Sequence, residues 1–238
     1  MCEDCGCSEM ENQVVESEDS LTIHTHTPIL SENNALAHKN QHWFDDNDII
    51  TINLMSSPGA GKTLLLEKTV EYFGNEINLS ILTGDLQTTN DADRLKKVGA
   101  NAKQITTHSA CHLDAKMIAD ELGGFITPTV DLCIIENVGN LVCPSAFPLG
   151  ESLRVAMLSI TEGEDKPVKY PVMFNKADVI VLTKMDLLPH LKFDMNQCLK
   201  YIKQVNPSAK IIELSAFEGT GMNEWFELIR ENVPSRTS

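Results

Sequence analysis

The chain has 238 residues, 42% of them hydrophobic, which is enough for one substantial core. Its formal net charge of −15 excludes the basic stripe that a nucleic-acid backbone binder needs. No apolar run approaches the ~20 residues that span a bilayer, and no secretory leader opens the chain, so the expected setting is cytoplasmic, reducing and away from membranes. There, cysteines serve as metal or catalytic ligands more often than as disulfides, and seven of them leave at least one unpaired.

Residues 1–20 hold seven acids and no Lys or Arg, so residues 1–28 are expected to form a flexible acidic tail. The tail opens "MCEDCGC". Cys2, Cys5 and Cys7 are too close for unstrained disulfides among themselves, but they suit one ion. Thiolates favour Ni²⁺ in a planar arrangement, Gly6 allows the chain to reverse, and the terminal amine offers a fourth ligand. A zinc site and a redox-sensing thiol cluster are the competing readings. Next, Leu30, Ala35, Leu36, Trp43 and Phe44 could line a helix from Ile29 to Phe44 capped by Ser31, giving a helical linker over 29–47. His24, His26, His38 and His42 read as polar linker and helix positions.

From residue 48 the texture changes. Short apolar runs at 49–55, 79–84, 103–107, 132–138, 154–161, 179–184 and 210–216 read as strands. Helical patterns follow the first P-loop-like turn and recur near 91–98, 113–122, 195–205 and 222–232. Strands alternating with helices imply parallel βαβ units, hence one α/β domain over 48–234 with a doubly wound, mostly parallel sheet and helices on both faces.

The first strand runs into "SSPGAGKT", a P-loop with Ser56 where the first glycine usually stands. Gly59, Ala60 and Gly61 let the backbone curl its N–H groups toward phosphate, and the next helix aims its N-terminus at the same anion. Lys62 is placed for the β- and γ-phosphates and the Thr63 hydroxyl for Mg²⁺. "TKMD" closes a later strand. There Asp186 can accept from the N1–H and 2-amino group of guanine, with Lys184 along the base plane and Thr183 in place of the usual Asn. "SAF", with Ser215 and Ala216, is suited to support the base from the other side.

Two carboxylates compete for the magnesium and catalytic roles. Asp85 ends one strand, and Glu136 stands in "ENVG" where G-proteins carry D-x-x-G. Asp85 is preferred on the expectation that its strand lies beside the P-loop strand. Asp91 and Asp93 fit a solvated helix start as well as a catalytic one. No catalytic Gln or arginine finger stands out, so slow intrinsic turnover is expected.

Cys111 and His112 precede a helix, and Cys143 follows the Glu136–Gly139 loop. All three fall at the sheet edge where nucleotide binds, and a Cys-His pair plus a second Cys suits Zn²⁺ or Ni²⁺. Cysteine is also a common core residue, as Cys133 and Cys198 are expected to be. A ligand on the nucleotide-sensing loop would couple metal to the GTP or GDP state.

These segments, together with "ILSENNALAHKNQHWF", "GDLQT", "CHLDA", "TEGEDKPVKYP" and "SAFEGTGM", resemble the HypB family of hydrogenase nickel-incorporation GTPases along nearly the whole chain. The resemblance implies a GTP-hydrolysing nickel metallochaperone acting in [NiFe]-hydrogenase maturation, with a tight nickel site in the tail. It implies GTP-dependent homodimers, and as partners the small nickel/zinc accessory protein HypA and the hydrogenase large-subunit precursor. The urease accessory GTPases are close relatives, but carry a different Cys-x-His motif and no "MCEDCGC". A reading from another class is a nickel or zinc storage protein that binds nucleotide without useful turnover.

Overall fold

The computed structural model describes the backbone of residues 14–17, 20–23, 27–85, 90–107 and 110–233. The tail thiols Cys2, Cys5 and Cys7, with His24 and His26, lie outside the described residues. Strands β1 (Val14–Ser17) and β2 (Ser20–Ile23) form an antiparallel ribbon with Val14 opposite Ile23. Helix α1 (Thr27–Asp46) follows. It starts before the expected Ser31 cap. Pro28 falls in its first turn, where N–H groups have no helical acceptor anyway.

The rest builds the sheet in chain order: β3 (Ile50–Ser56), α2 (Lys62–Phe73), β4 (Leu79–Asp85), α3 (Asn90–Lys97), β5 (Asn101–Thr106), α4 (Ala115–Ala119) and β6 (Leu132–Glu136). Then come α5 (Cys143–Ala146), β7 (Leu153–Ser159), α6 (Lys166–Lys169), α7 (Pro171–Asn175), β8 (Val179–Thr183), α8 (Met195–Val205), β9 (Lys210–Glu213) and α9 (Met222–Asn232). The seven strands β3 to β9 are all parallel, in the order β5-β4-β6-β3-β7-β8-β9. The chain leaves β3 toward one edge, returns to lay β6 beside it, then crosses to the other side. The carboxyl end of β3 is therefore the switch point of a doubly wound sheet, where ligands of such folds bind.

Both faces of the sheet are covered, so its central strands are apolar throughout rather than alternating. All five residues of β6 and of β8 are buried. Ile52, Leu54, Leu132 and Ile134 pack with Leu65, Leu66, Trp225 and Ile229 of α2 and α9 on one face. On the other face, Met55, Ile180 and Leu182 meet Phe174, Cys198 and Ile202, while Cys133 and Ile135 meet Phe44, Leu113 and Ile118. Cys133 and Cys198 are fully buried, and burial pushes the Cys198 thiol up to about 12.

Several expected elements end early, each for a local reason. The helix expected over 113–122 is only α4: Asp114 caps its start by accepting from Met117 N, and beyond its end the chain turns with Gly123 N donating to Ile126 O. The strand expected to reach Thr161 stops at Ser159, whose side chain and that of Glu162 form a capping box over a 3-10 turn. Helices α6 and α7 have no sequence expectation.

Two buried amides seat α1 on the domain. Asn40 Nδ2 donates to Ala115 O at 2.8 Å and Leu149 O at 3.0 Å. Asn33 donates to Pro148 O at 2.9 Å and accepts from Ala115 N at 2.9 Å. Gly150 (φ 101°) lies beneath the helix, where a Cβ would sit 2.7 Å from Ala37 O. No helix among the described residues is long and apolar enough to cross a membrane.

Candidate functional site

β3 ends in a loop that turns through Gly59 (φ 74°) and Gly61 (φ 97°), both left-handed, before α2 begins at Lys62. The Lys62 ammonium is buried and donates to Ser56 Oγ at 2.9 Å, so the serine that replaces the usual glycine holds the lysine. Burial lowers the Lys62 pKa, while Glu136, Asp91 and Glu162 pull it back up.

The Thr63 hydroxyl lies 2.9 Å from Glu136 Oε1 and 3.0 Å from Asp91 Oδ1. Burial pushes the Glu136 carboxyl up to about 7, against the pull of Lys62. Glu136 Oε2 is buried and accepts no hydrogen bond. A hydroxyl and two carboxylates, one of them with an orphaned buried oxygen, form a hard-oxygen set, which fits Mg²⁺. Asp85 lines the same cavity of about 520 Å³, as do Gly59, Gly61, Asn137 and Gly139.

The expectation that Asp85 leaves the strand beside β3 is overturned by the sheet order. β6 lies between β3 and β4, and its last residue, Glu136, sits opposite Leu54 of β3. Asp91 and Arg94 are also at this cavity. Arg94 pairs with Glu67 at 2.9 Å and lies 3.9 Å from Asp91 Oδ1. Sequence reading left Asp91 open and missed Arg94; their helical spacing of three is the signal that aims both at one site.

A second cavity of about 270 Å³ opens beside the loop, lined by Ala60, Gly61, Leu64, Thr183, Lys184, Asp186, Leu187, Ser215, Ala216 and Phe217. It joins the ends of β8 and β9. Asp186 Oδ1 accepts from Ser215 Oγ at 2.5 Å. Thr183 Oγ donates to Ala60 O at 2.8 Å, tying the strand end to the loop. Lys184 adopts a left-handed conformation (φ 61°), one of two non-glycine residues among the described ones to do so. Such strain concentrates at ligand clamps. Phe217 stands 80% exposed at the cavity lip.

At the same sheet edge the ligand atoms of Cys111, His112 and Cys143 lie within 4.8 Å of one another. All three residues are buried. Cys111 Sγ is 3.8 Å from His112 Nδ1. Burial lowers the His112 pKa, opposed by Asp114, which favours the neutral, coordinating imidazole. The ring stacks on Phe147 at 3.9 Å and 26°, a contact with no sequence signal. Two sulfurs and one imidazole form a soft-to-borderline set that fits Zn²⁺ or Ni²⁺.

Residues 50–213 match the family described as CobW/HypB/UreG, nucleotide-binding domain. The chain is 48% identical over 208 residues to the hydrogenase maturation factor HypB of Azotobacter vinelandii, covering 87% of this chain and 69% of that protein. Among solved structures, the hydrogenase maturation factor HypB from Archaeoglobus fulgidus aligns with a TM-score of 0.79 at 41% identity, covering 84% of this chain and 98% of that one. HypB from Helicobacter pylori in complex with nickel aligns with a TM-score of 0.77 at 38% identity, covering 87% and 99%.

Proposed function

The chain belongs to the HypB family of hydrogenase maturation factors, and from that premise we propose that it is a GTP-hydrolysing metallochaperone whose cargo is nickel. The observation that carries the reading is one stretch of chain. It leaves the phosphate cavity at Glu136, touches the P-loop at Gly139, and reaches the Cys-His cluster at Cys143. A Cβ on Gly139 would sit 3.0 Å from Pro58, so this loop packs directly against the P-loop.

In this reading the backbone between Gly59 and Lys62 cradles the phosphates, and the Lys62 ammonium moves from Ser56 to the phosphate oxygens. Thr63, Glu136 and Asp91 hold Mg²⁺, with Asp85 within reach through water. The ion supplies charge neutralisation of the phosphates when bound. Asp186 reads guanine, Lys184 and Ala60 flank it, and Ser215 holds the Asp186 carboxylate in place. Arg94 lines the cavity paired with Glu67, and with no other arginine lining it among the described residues, slow intrinsic turnover is expected.

Cys111, His112 and Cys143 hold nickel or zinc, and the tail thiols Cys2, Cys5 and Cys7 hold nickel. A solved relative is described in complex with nickel, which supports that cargo. GTP-dependent homodimers, HypA and the hydrogenase large-subunit precursor complete the proposal. The test is hydrolysis of GTP and of ATP with Mg²⁺, alongside nickel titration of the same preparation. GTP turnover with no ATP turnover, and stoichiometric nickel, is the expected result. Nickel binding without GTP turnover would instead leave a storage protein.

A further inference from the structure

Asn137 follows Glu136 directly and is 1% exposed. A buried amide is costly unless its polar atoms are paired, and here each is. Its Oδ1 accepts from Val138 N at 2.9 Å and from Leu113 N at 3.2 Å. Its Nδ2 donates to Asn53 Oδ1 of β3 at 3.2 Å. Two backbone donors on one side fix which end of the amide is the oxygen. Leu113 is the residue after His112, so one side chain of the nucleotide loop holds the backbone of the metal-ligand segment from across 24 positions of sequence.

The same segment also packs against β4. A Cβ on Gly84 would lie 2.8 Å from Leu113 Cγ, and Gly84 lines the phosphate cavity beside Asp85. Leu113 thus lies against two residues that line that cavity. The network continues through Asn53 Nδ2 to Glu151 Oε1 at 3.3 Å, whose other oxygen accepts from Leu149 N at 2.6 Å, two residues past Phe147.

We infer that Asn137 is the positioning residue that transmits the state of the nucleotide loop to the Cys111–His112 segment. The inference rests on the reading that nucleotide and metal occupy these two sites. It goes further by naming the side chain that couples them, separate from the covalent link through Cys143. A merely structural amide would alter stability and both affinities, but it would leave their ratio alone. A coupling residue changes the ratio.

The test measures Ni²⁺ affinity of the full-length chain, with Cys2, Cys5 and Cys7 changed to Ser, without nucleotide, with GDP and with a non-hydrolysable GTP analogue. The expected wild-type ratio between nucleotide states is ~5–150-fold, and Asn137→Ala should bring it to within about twofold of unity. Asn137→Asp, which keeps the acceptor for Leu113, should retain most of it. Hydrogen exchange of 110–115 in the wild-type chain, without metal, should slow or quicken between nucleotide states, a readout that needs no variant. Full coupling in Asn137→Ala, or exchange at 110–115 indifferent to nucleotide while coupling is present, overturns the role of Asn137 alone. Equal Ni²⁺ affinities in all wild-type states overturn the coupling itself, and Asn137's part with it.

Discussion

The phosphate cavity and the Cys-His cluster sit at one edge of one sheet, yet they are built from opposite chemistry. The first gathers oxygens and an ammonium: Lys62, Thr63, Asp91 and Glu136. The second gathers two sulfurs and an imidazole with an aromatic lid, Phe147. Hard cations follow oxygen and softer ones follow sulfur and imidazole, so two ions can be sorted within one small domain by donor type alone. The contrast also shows in protonation. Burial raises Glu136 toward its protonated form, whereas burial lowers His112 toward its neutral form.

The sharpest way to break this contrast is to empty one side of charge. Lys62→Ala removes the only ammonium among the described residues that lines the phosphate cavity, in a protein of net charge −15. Titration with a fluorescent GTP analogue should show affinity weakened by about 10³-fold, because no other lysine replaces that point charge. Wild-type affinity would mean that the loop does not cradle phosphate. On the soft side, Cys143→Ser substitutes a hard oxygen for a thiolate. Ni²⁺ or Zn²⁺ affinity at the internal cluster should fall about 10²-fold by competition with a chromophoric chelator. An unchanged affinity would separate Cys143 from the metal.

A smaller effect is expected at the base cavity. Asp186→Asn replaces an acceptor with a donor facing the guanine N1–H and 2-amino group. GTP should weaken roughly 10–100-fold, and xanthosine triphosphate should compete better than against the wild type. An unaltered preference for GTP would show that Asp186 does not read the base.

The mildest prediction concerns pH. In the chain free of metal and nucleotide the Glu136 carboxyl titrates at about 7, against an ordinary 4.5. The folded state therefore holds a proton that the unfolded state has lost across that interval. The stabilisation is full below 4.5 and is lost as pH rises through 7. Glu136→Gln cannot ionise, so it should flatten that slope and melt higher than wild type at pH 8, by on the order of 2 kcal/mol or ~4–8 °C. Mg²⁺ should bind the wild type more tightly as pH rises through the same interval. Parallel melting curves from pH 5 to pH 8 would place Glu136 in a wetter setting than the fold shows.

What the sequence determined by itself is whatever depends on adjacent residues. The P-loop is legible because Gly59, Gly61, Lys62 and Thr63 act through one local turn and the start of one helix. The spans of α8 and α9 were legible from helical periodicity alone, at 195–205 and 222–232. Alternating strands and helices announced a parallel sheet, but not its order, since each crossover can skip a place before the chain returns. That is why Asp85 looked like the neighbour of the P-loop strand and Glu136 is.

Helices α6 and α7 escaped notice for a different reason. At four and five residues they are shorter than any helix that periodicity can reveal, and only burial marks them, of Pro167 in α6 and of Met173 and Phe174 with α8 in α7. Cys111, His112 and Cys143 could be assigned to one edge, but only packing brings their ligand atoms within 4.8 Å. The same holds for Phe147 on His112, for Asn137 on Leu113 and for Gly84 against Leu113. Each joins positions tens of residues apart with no spacing rule, because a contact between elements depends on how the faces of the sheet are covered and not on the period of either element.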